Sequence, residues 1–239
     1  LQCATISMKY LGDRFDIHAG ERELIFPHNE NENAIGGALT GKPLARFWLH
    51  CDRVLEDGRK MDEDKGLLTL GDLMEKGYSG RQIRFWLLSP HYRKPVTLST
   101  KRLDYAKKSL DRIDTCLHGL YHIESGNPCP DLDQLLYDIQ HEFVEAMNDD
   151  LNISAALASL FTTIRKINKL IRDKHLDPEG AAKIIDMFAA IDDVLRIFNL
   201  ADDKEQVTAR ISSTIRFTDA LSPNLYPDDS GSPDPDDSD

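Results

Sequence analysis

Three side chains near the beginning of the sequence are of the types that bind zinc in proteins. Cys3 comes first, and His28 and Glu32 follow as a pair spaced four residues apart, directly after Pro27. Residues at this spacing project from one face of a helix, and a thiolate, an imidazole and a carboxylate are all competent zinc ligands. Zinc usually takes four ligands, however, and a His-x-x-x-Glu pair on a helix is more often an exposed ion pair. The spacing alone leaves both interpretations open.

The elements that must position these side chains have a mixed character. Over the first 98 residues, short apolar runs such as Leu24–Phe26 and Phe47–Leu49 alternate with glycine, proline and short helical patterns. Asp57-Gly58 predicts a tight turn in a loop or hairpin. The strongly apolar stretch from Gln82 to Ser89 predicts a buried helix, and Pro95 interrupts the chain after it.

From Ser99 onward, apolar residues recur at steps of three and four, which is typical of amphipathic helices. Ser99 is predicted to cap the first helix, which ends in the turn residues 125–130, and a second helix is predicted over 132–148. Ser154 is predicted to cap a third helix, and Pro178 to open a fourth. The apolar stripes predict a helical bundle with a common core. The stripe of the fourth helix consists of Ile184, Ile185, Phe188, Ile191, Val194, Leu195 and Phe198.

Composition and charge limit the class of protein. The 239 residues include 41 acidic and 29 basic side chains, for a net charge of −12, which argues against a sequence-independent nucleic-acid coat but allows a local basic face. No apolar stretch approaches the roughly 20 residues that span a bilayer, and no signal peptide follows Leu1. We therefore expect the sequence to begin inside a longer gene. Four scattered cysteines predict a reducing, cytoplasmic setting rather than a disulfide framework.

Several motifs resemble those of one enzyme family. Phe15–Glu32 reads FDIHAGERELIFPHNENE and resembles the pattern FDIHGGGxDLxFPHHENE of the cysteinyl-tRNA synthetases, and Gln2-Cys3 matches the segment that precedes it there. Ile83–Val96 and Asn148–Leu170 are similar to later segments of the same enzymes. The resemblance covers about residues 1–200 in order.

The resemblance implies a fold, a reaction and a set of partners. Residues 1–98 would be the C-terminal part of a class I synthetase α/β catalytic domain with a Rossmann-like fold, and residues 99–200 a helical, DALR-like domain. Residues 201–239 lie beyond the resemblance, and their composition predicts an acidic, largely disordered tail. The family joins cysteine to its tRNA using ATP with Mg²⁺. Cys3, His28 and Glu32 would bind Zn²⁺, whose fourth ligand is a cysteine near the N-terminus of the full enzyme and absent here. Zinc selects a thiolate over the hydroxyl of serine.

The resemblance also assigns roles in the nucleotide pocket. His18 would line the amino-acid and adenylate pocket, and Gly20 keeps one of the three glycines that allow close approach to a nucleotide. Glu23 replaces an aspartate that contacts the ribose. Glu21 stands where the family has glycine, so we expect it to add unfavourable negative charge near phosphate. Cys51 occupies a position that is usually asparagine and is not a predicted ligand.

A second motif, at residues 58–66, resembles the signature GxKMSKSLGN but is degenerate. Lys60 and Met61 are retained, whereas Glu63 stands where the second lysine stabilises the departing pyrophosphate, between Asp62 and Asp64. Loss of one such group typically costs about 10²–10³ in rate, and a reversed charge should cost at least as much. Lys65 offers a replacement if the loop shifts. The alternative is that the acidic run is simply a solvated loop.

Three functions remain open on the sequence. The leading one is a cysteine–tRNA ligase. We expect the isolated chain to be inactive, because it lacks the first half of the nucleotide-binding fold. A separate chain that supplies this half would be a partner. A cysteine ligase of mycothiol synthesis ranks lower, because Asn148–Leu170 fits the tRNA enzyme better. The acidic run and the short chain favour a non-catalytic paralogue that binds zinc, tRNA or a partner. His91–Arg93 is predicted to be a structural junction rather than a contact to tRNA phosphate.

Overall fold

The computed structural model of the protein describes residues 2–56, the backbone of 59–60, and residues 68–200. The predicted turn at Asp57-Gly58, the acidic run with Glu63, and the tail from residue 201 lie outside the described residues. The chain divides into two compact units: Leu1–Leu110 with Asp150–Ser154, and Asp111–Asp149 with the residues from Ala155 on. Along the described residues, none of the helices has the length and apolar character needed to cross a membrane.

The first unit opens with two parallel strands joined by a helical crossover. Strand β1 (Phe15–Glu21) pairs with β2 (Ala45–Cys51), with Phe15 opposite Ala45 and Glu21 opposite Cys51. Parallel strands require a long connection, usually a helix, and here it contains the short helical turns Arg22–Leu24 and Ile25–Asn29 followed by α2 (Glu30–Thr40). Helix α1 (Gln2–Leu11) precedes β1 and packs against α2. The mixed α/β character expected for this region is confirmed.

Glycines set the close packing between α2 and the chain that enters β2. Gly41 ends α2 in the left-handed conformation, with φ of 72°, which glycine adopts without steric cost. A Cβ at Gly36 would lie 2.9 Å from the side chain of Leu44, which is fully buried. Asn33 accepts a hydrogen bond from the Leu44 backbone N–H at 3.0 Å. These contacts fix where β2 starts, and so fix its register with β1.

A second small sheet and two short helices complete the first unit. Strand β3 (Val54–Glu56) lies between β4 (Arg59–Lys60), to which it is antiparallel, and β5 (Val96–Leu98), to which it is parallel. Capping boxes at Thr69 and Ser79 start α3 (Leu70–Glu75) and α4 (Gly80–Leu88). Ile83, Phe85 and Trp86 of α4 are buried. This confirms the predicted buried helix.

The strip His91–Arg93 contacts Asp150, in the segment that clusters with the first unit. The Arg93 guanidinium donates to both carboxylate oxygens of Asp150, from Nε at 2.5 Å and from Nη2 at 3.0 Å. The Tyr92 hydroxyl donates to the same carboxylate at 2.5 Å. Bidentate arginine–carboxylate pairs are strong and specific in geometry. Arg93 is therefore engaged within the protein, as the prediction of a structural junction requires.

Replacing Asp150 by asparagine is expected to lower the melting temperature, by an amount that depends on pH. Hydrogen bonds to its carboxylate hold the pKa of Asp150 at about 2, below its ordinary value of 3.8. The hydrogen bond from Arg93 has the largest effect, and that from Tyr92 the second largest. A carboxyl group whose pKa is depressed by folding stabilises the fold above its unfolded pKa, and this contribution is lost as pH falls through the folded pKa. The difference between wild type and Asp150→Asn should therefore shrink as pH falls from 3.8 to about 2.

Thermal unfolding followed by circular dichroism across this pH range tests the prediction. Asp193→Asn is the matched control, because Asp193 pairs with Arg196 at 3.1 Å while both side chains are largely exposed, and such pairs contribute little. A loss of stability in Asp150→Asn that stays constant from neutral pH to pH 2 would contradict the role given to its charge.

The second unit is helical. Helix α5 (Thr100–Tyr121) begins in the first unit after Ser99, whose hydroxyl accepts from the Arg102 backbone N–H at 3.3 Å, as its predicted capping role requires. It is followed by α6 (Leu132–Asn148), α7 (Ile153–Arg172) and α8 (Pro178–Leu195), and each buries an apolar face. These helices confirm the predicted helical segments. Within the second unit, the most deeply buried residues of these helices include Ile113, Leu120, Ile164, Ile167, Ile184, Phe188 and Ile191.

Two details of the helix predictions are wrong. Helix α7 begins at Ile153, so Ser154 lies inside its first turn instead of capping it, and its hydroxyl donates to the carbonyl of Ser89 at 3.1 Å. Val194 is 43% exposed and lies outside the core, although its spacing in α8 suggested a core position. The apolar stripe of a helix is wider than the face that its neighbours cover, which explains the second error.

Phe188→Ala is expected to lower the free energy of unfolding by about 3–5 kcal/mol. Phe188 is fully buried in α8, and its ring lies 5.4 Å from that of Phe198, so truncation leaves a cavity that the packed helices fill only in part. Val194→Ala on the same helix is the control and should change the free energy by less than about 0.5 kcal/mol. Urea denaturation measures both, and equal effects would contradict the assigned core.

Candidate metal centre and nucleotide edge

The structure brings Cys3, His28 and Glu32 together. One donor atom from each, the Cys3 sulfur, a His28 ring nitrogen and a Glu32 carboxylate oxygen, lies within 4.8 Å of the other two. The packing of α1 on α2 carries Cys3 to the pair, and the helical turn before α2 puts His28 and Glu32 on one face. Ligands of one zinc ion are separated by about 4 Å, so donor atoms that all lie within 4.8 Å of one another are close to the spacing of a zinc site.

The carboxylate of Glu32 gives an independent reason to expect a cation here. Its side chain is only 4% exposed, and both carboxylate oxygens lack a hydrogen-bond partner within the described part of the chain. His28 Nε2 lies 3.4 Å from Oε1 and His18 Nε2 lies 2.9 Å from Oε2, but neither contact is directed as a hydrogen bond. A buried carboxylate without donors is costly unless it is paired or coordinates a metal. The donor set therefore fits zinc.

His18 lies beside this cluster as well as in the strand expected to line the adenylate pocket. It is opposite Trp48 in the parallel register of β1 and β2, and the two rings stack with centroids 4.2 Å apart. Its Nδ1 is buried without a hydrogen-bond partner among the described residues, while its Nε2 faces Glu32. His18 thus connects the candidate metal centre to the sheet, a contact that the sequence analysis missed.

The carboxyl ends of β1 and β2 form a charged edge. Ligands of parallel α/β sheets bind outside the carboxyl ends of the strands, where Gly20 and Glu21 end β1 and Cys51 ends β2. The Cys51 thiol donates to the carbonyl of Gly20 at 3.4 Å. Added at Gly20, a Cβ would meet the Asn29 side chain at 3.4 Å, an ordinary contact, so the need for glycine against a nucleotide stays a prediction.

Arg53 is the charged residue at this edge that the sequence analysis did not single out. Its Nε lies 2.7 Å from Oε1 of Glu21, and its Nη2 contacts Oε1 of Glu23. One guanidinium therefore bridges the two acidic residues that differ from the family pattern. Lys60 lies on β4 opposite Leu55, whereas Glu63 of the same motif lies outside the described residues.

The remaining cysteines of the described chain do not join the metal cluster. Cys116 is fully buried in α5, and burial raises its pKa to about 12, so its sulfur stays a neutral thiol rather than a zinc-binding thiolate. Cys51 is exposed and Cys129 is half-buried, and neither lies with Cys3, His28 and Glu32.

Comparison with known families agrees with both parts of this fold. Residues 1–108 match the family model of the class I (C) tRNA synthetase catalytic domain, and residues 142–199 match that of the DALR domain. These matches assign the first part of the chain to a class I tRNA synthetase catalytic domain and the later part to a DALR domain.

Named relatives narrow the family. The chain is 37% identical over 227 residues to the cysteine–tRNA ligase of Chlamydia muridarum, covering 87% of this chain and 46% of the relative. It is 39% identical over 182 residues to that of Carboxydothermus hydrogenoformans, covering 74% of this chain and 38% of the relative. Over most of its own length, the chain is therefore similar to cysteine–tRNA ligases. It spans less than half the length of these two relatives.

A solved structure shares the fold. The chain matches LeuRS of Agrobacterium radiobacter K84, in a ternary complex with tRNA and LeuAMS, with a TM-score of 0.62. The match covers 86% of this chain and 28% of that one at 15% identity. At this identity the likeness concerns the fold alone.

Proposed function

We propose that this chain forms the thiol-selecting and tRNA-linked part of a cysteine–tRNA ligase, with zinc held by Cys3, His28 and Glu32. The observation that carries the proposal is the thiol–imidazole–carboxylate cluster with the buried carboxylate of Glu32, whose contacts with His28 and His18 are not directed as hydrogen bonds. Bound zinc would take the thiolate of cysteine as a ligand and discriminate against the hydroxyl of serine. The fourth protein ligand would come from outside this chain.

The chain's own residues have distinct parts in this scheme. Glu32 offsets the charge of the cation from a buried position, while Cys3 and His28 complete the face that meets the substrate thiol. His18, next to Glu32 on β1, orients that carboxylate and borders the adenylate pocket. Gly20 and Glu23 lie at the strand end where ATP, with Mg²⁺, would bind, and Glu23 would accept hydrogen bonds from the ribose hydroxyls.

The proposed reaction has two steps. The carboxylate of cysteine attacks the α-phosphorus of ATP and releases pyrophosphate, and a terminal hydroxyl of tRNA then attacks the adenylate carbonyl and releases AMP. Lys60, on β4, belongs to the motif that would contact the polyphosphate. The setting would be the cytoplasm, where tRNA is charged. The DALR match and the named relatives do not favour the mycothiol-type ligase or a non-catalytic paralogue.

An exposed apolar surface favours a further polypeptide as a partner. Ile17 and Phe47 are opposite each other in the parallel sheet, yet they are 59% and 43% exposed. Parallel sheets are normally covered on both faces, and contiguous exposed apolar groups mark interaction sites. We propose that the rest of a synthetase catalytic domain covers this surface, in keeping with the chain's share of its relatives' length.

Binding of amino acids to the zinc-loaded chain tests the proposed function. Isothermal titration should detect binding of cysteine and no binding of serine at the same concentration, and removal of zinc by a chelator should abolish the cysteine signal. Cysteine-dependent exchange between ATP and pyrophosphate by the chain alone should be negligible. Equal binding of the two amino acids, or cysteine binding that survives chelation, would rule out selection of the thiol by zinc.

A further inference from the structure

We propose that Arg53 is a positioning residue of the nucleotide pocket, which cancels the charge of Glu21 and holds Glu23 toward the ribose of a nucleoside triphosphate. The inference rests on the proposed function, since it concerns the ATP side of the same site. Its basis is the double contact of one guanidinium with Glu21, at 2.7 Å, and with Glu23. The three residues lie at the carboxyl ends of two parallel strands, where ligands of such sheets bind.

The position of Arg53 is fixed by its backbone as well as by its side chain. Its backbone N–H donates to the Asp52 carboxylate at 2.8 Å, and its carbonyl accepts from the Val96 N–H at 2.9 Å. Its side chain is 18% exposed, against 33% for Glu21 and 63% for Glu23. Oε1 of Glu21 accepts no hydrogen bond within the described residues, so Arg53 acts on Glu21 through its charge at 2.7 Å.

Charge at this edge explains why such a residue is needed. Glu21 stands where the family resemblance has glycine, so the edge carries two carboxylates in place of one. Arg53 offsets one of them, which leaves the net charge that a glycine at position 21 and a single carboxylate at position 23 would give. Without Arg53, both negative charges would face an incoming triphosphate, and like charges in a partly desolvated site repel appreciably.

The contact with Arg53 also restrains Glu23, which is the more exposed of the two acidic residues. A free glutamate side chain samples several rotamers, and fixing it costs conformational entropy on binding. Arg53 contacts Oε1 of Glu23, which restrains the carboxylate and leaves its second oxygen to accept from a ribose hydroxyl in the proposed complex. Glu23 is one methylene longer than the aspartate of the family pattern, so its side chain has more conformational freedom for Arg53 to restrain.

A double-mutant cycle tests whether Glu21 and Arg53 act as a unit. The variants are Arg53→Ala, Glu21→Gly and the double variant. ATP binding is measured by equilibrium dialysis on the zinc-loaded chain combined with the part of the Chlamydia muridarum enzyme that this chain does not match. Arg53→Ala should weaken ATP binding on the order of tenfold, from the unbalanced charge, and Glu21→Gly in that background should restore most of the affinity. Arg53→Lys, which keeps the charge but loses the fork, should fall between wild type and Arg53→Ala.

Controls separate this inference from the proposed function and from misfolding. Arg172→Ala removes an arginine that pairs with Asp173 in the second unit at 3.2 Å and should leave ATP binding unchanged. Zinc binding and cysteine binding should be the same in all variants. If the wild-type protein bound neither zinc nor cysteine, that result would refute the proposed function and not the role of Arg53. Failure of wild type to bind ATP, unchanged binding in Arg53→Ala, or absence of rescue by Glu21→Gly overturns the role of Arg53.

Discussion

The substitution Cys3→Ser is expected to weaken zinc binding by more than about 100-fold. The site has three ligands from this chain, and the thiolate is the softest of them, so a hydroxyl cannot replace it. Loss of a partner that only orients a ligand already costs about 10–100-fold in metal affinity, and loss of a ligand should cost more. His28→Ala and Glu32→Gln should have effects of similar size, because the imidazole and the carboxylate complete the same cluster.

The measurement is a competition titration of zinc against a chromophoric chelator. Cys51→Ser provides the matched control, because Cys51 is also exposed and lies in the first unit, yet does not belong to the cluster. It should bind zinc as wild type does. If Cys3→Ser binds zinc as tightly as Cys51→Ser, then Cys3 is not a ligand.

The substitution Glu63→Lys is expected to raise the rate of ATP–pyrophosphate exchange by about 10²–10³. The change restores the cation that the family places against the departing pyrophosphate, at a position where Glu63 presents the opposite charge. Because exchange requires a complete catalytic domain, the assay supplies the part of the Chlamydia muridarum enzyme that this chain does not match. The rate is then compared between the wild-type chain and the variant in this reconstituted enzyme.

Controls for the Glu63 experiment address charge and the neighbouring lysine. Glu56→Lys makes the same change of charge at an exposed residue of β3 and should not raise the rate. If Glu63→Lys also leaves the exchange rate unchanged, the rate of the Lys65→Ala variant shows whether Lys65 already supplies the cation. A fall in the rate of the wild-type sequence on loss of Lys65 would mean that Lys65 supplies the cation, contrary to the role assigned to position 63.

Local patterns were sufficient for much of the fold. The helices of the second unit follow directly from apolar periodicity and from helix-start signals such as the cap residue Ser99 and the first helical residue Pro178. The pairing of His28 with Glu32 likewise follows from a spacing of four within one helical region. Interactions of this kind depend only on residues that are close in sequence.

Contacts between distant segments could not be derived in this way. His18 meets Glu32 and stacks on Trp48 only because the parallel register of β1 and β2 and the packing of the crossover place them together. Arg53 reaches Glu21 for the same reason, and Arg93 meets Asp150 although 57 residues separate them. The convergence of Cys3 on the other two ligands was expected from a family resemblance, since no periodicity connects α1 to α2.

Cobalt substitution tests most directly whether Cys3, His28 and Glu32 hold a metal that binds a thiol. A cobalt ion bound at this site should show a thiolate-to-metal charge-transfer band from Cys3, absent in Cys3→Ser. Adding cysteine should strengthen the band as a second thiolate joins the metal, and adding serine should leave it unchanged. A band that does not respond to cysteine, or that persists in Cys3→Ser, would contradict a thiol-binding metal at this cluster.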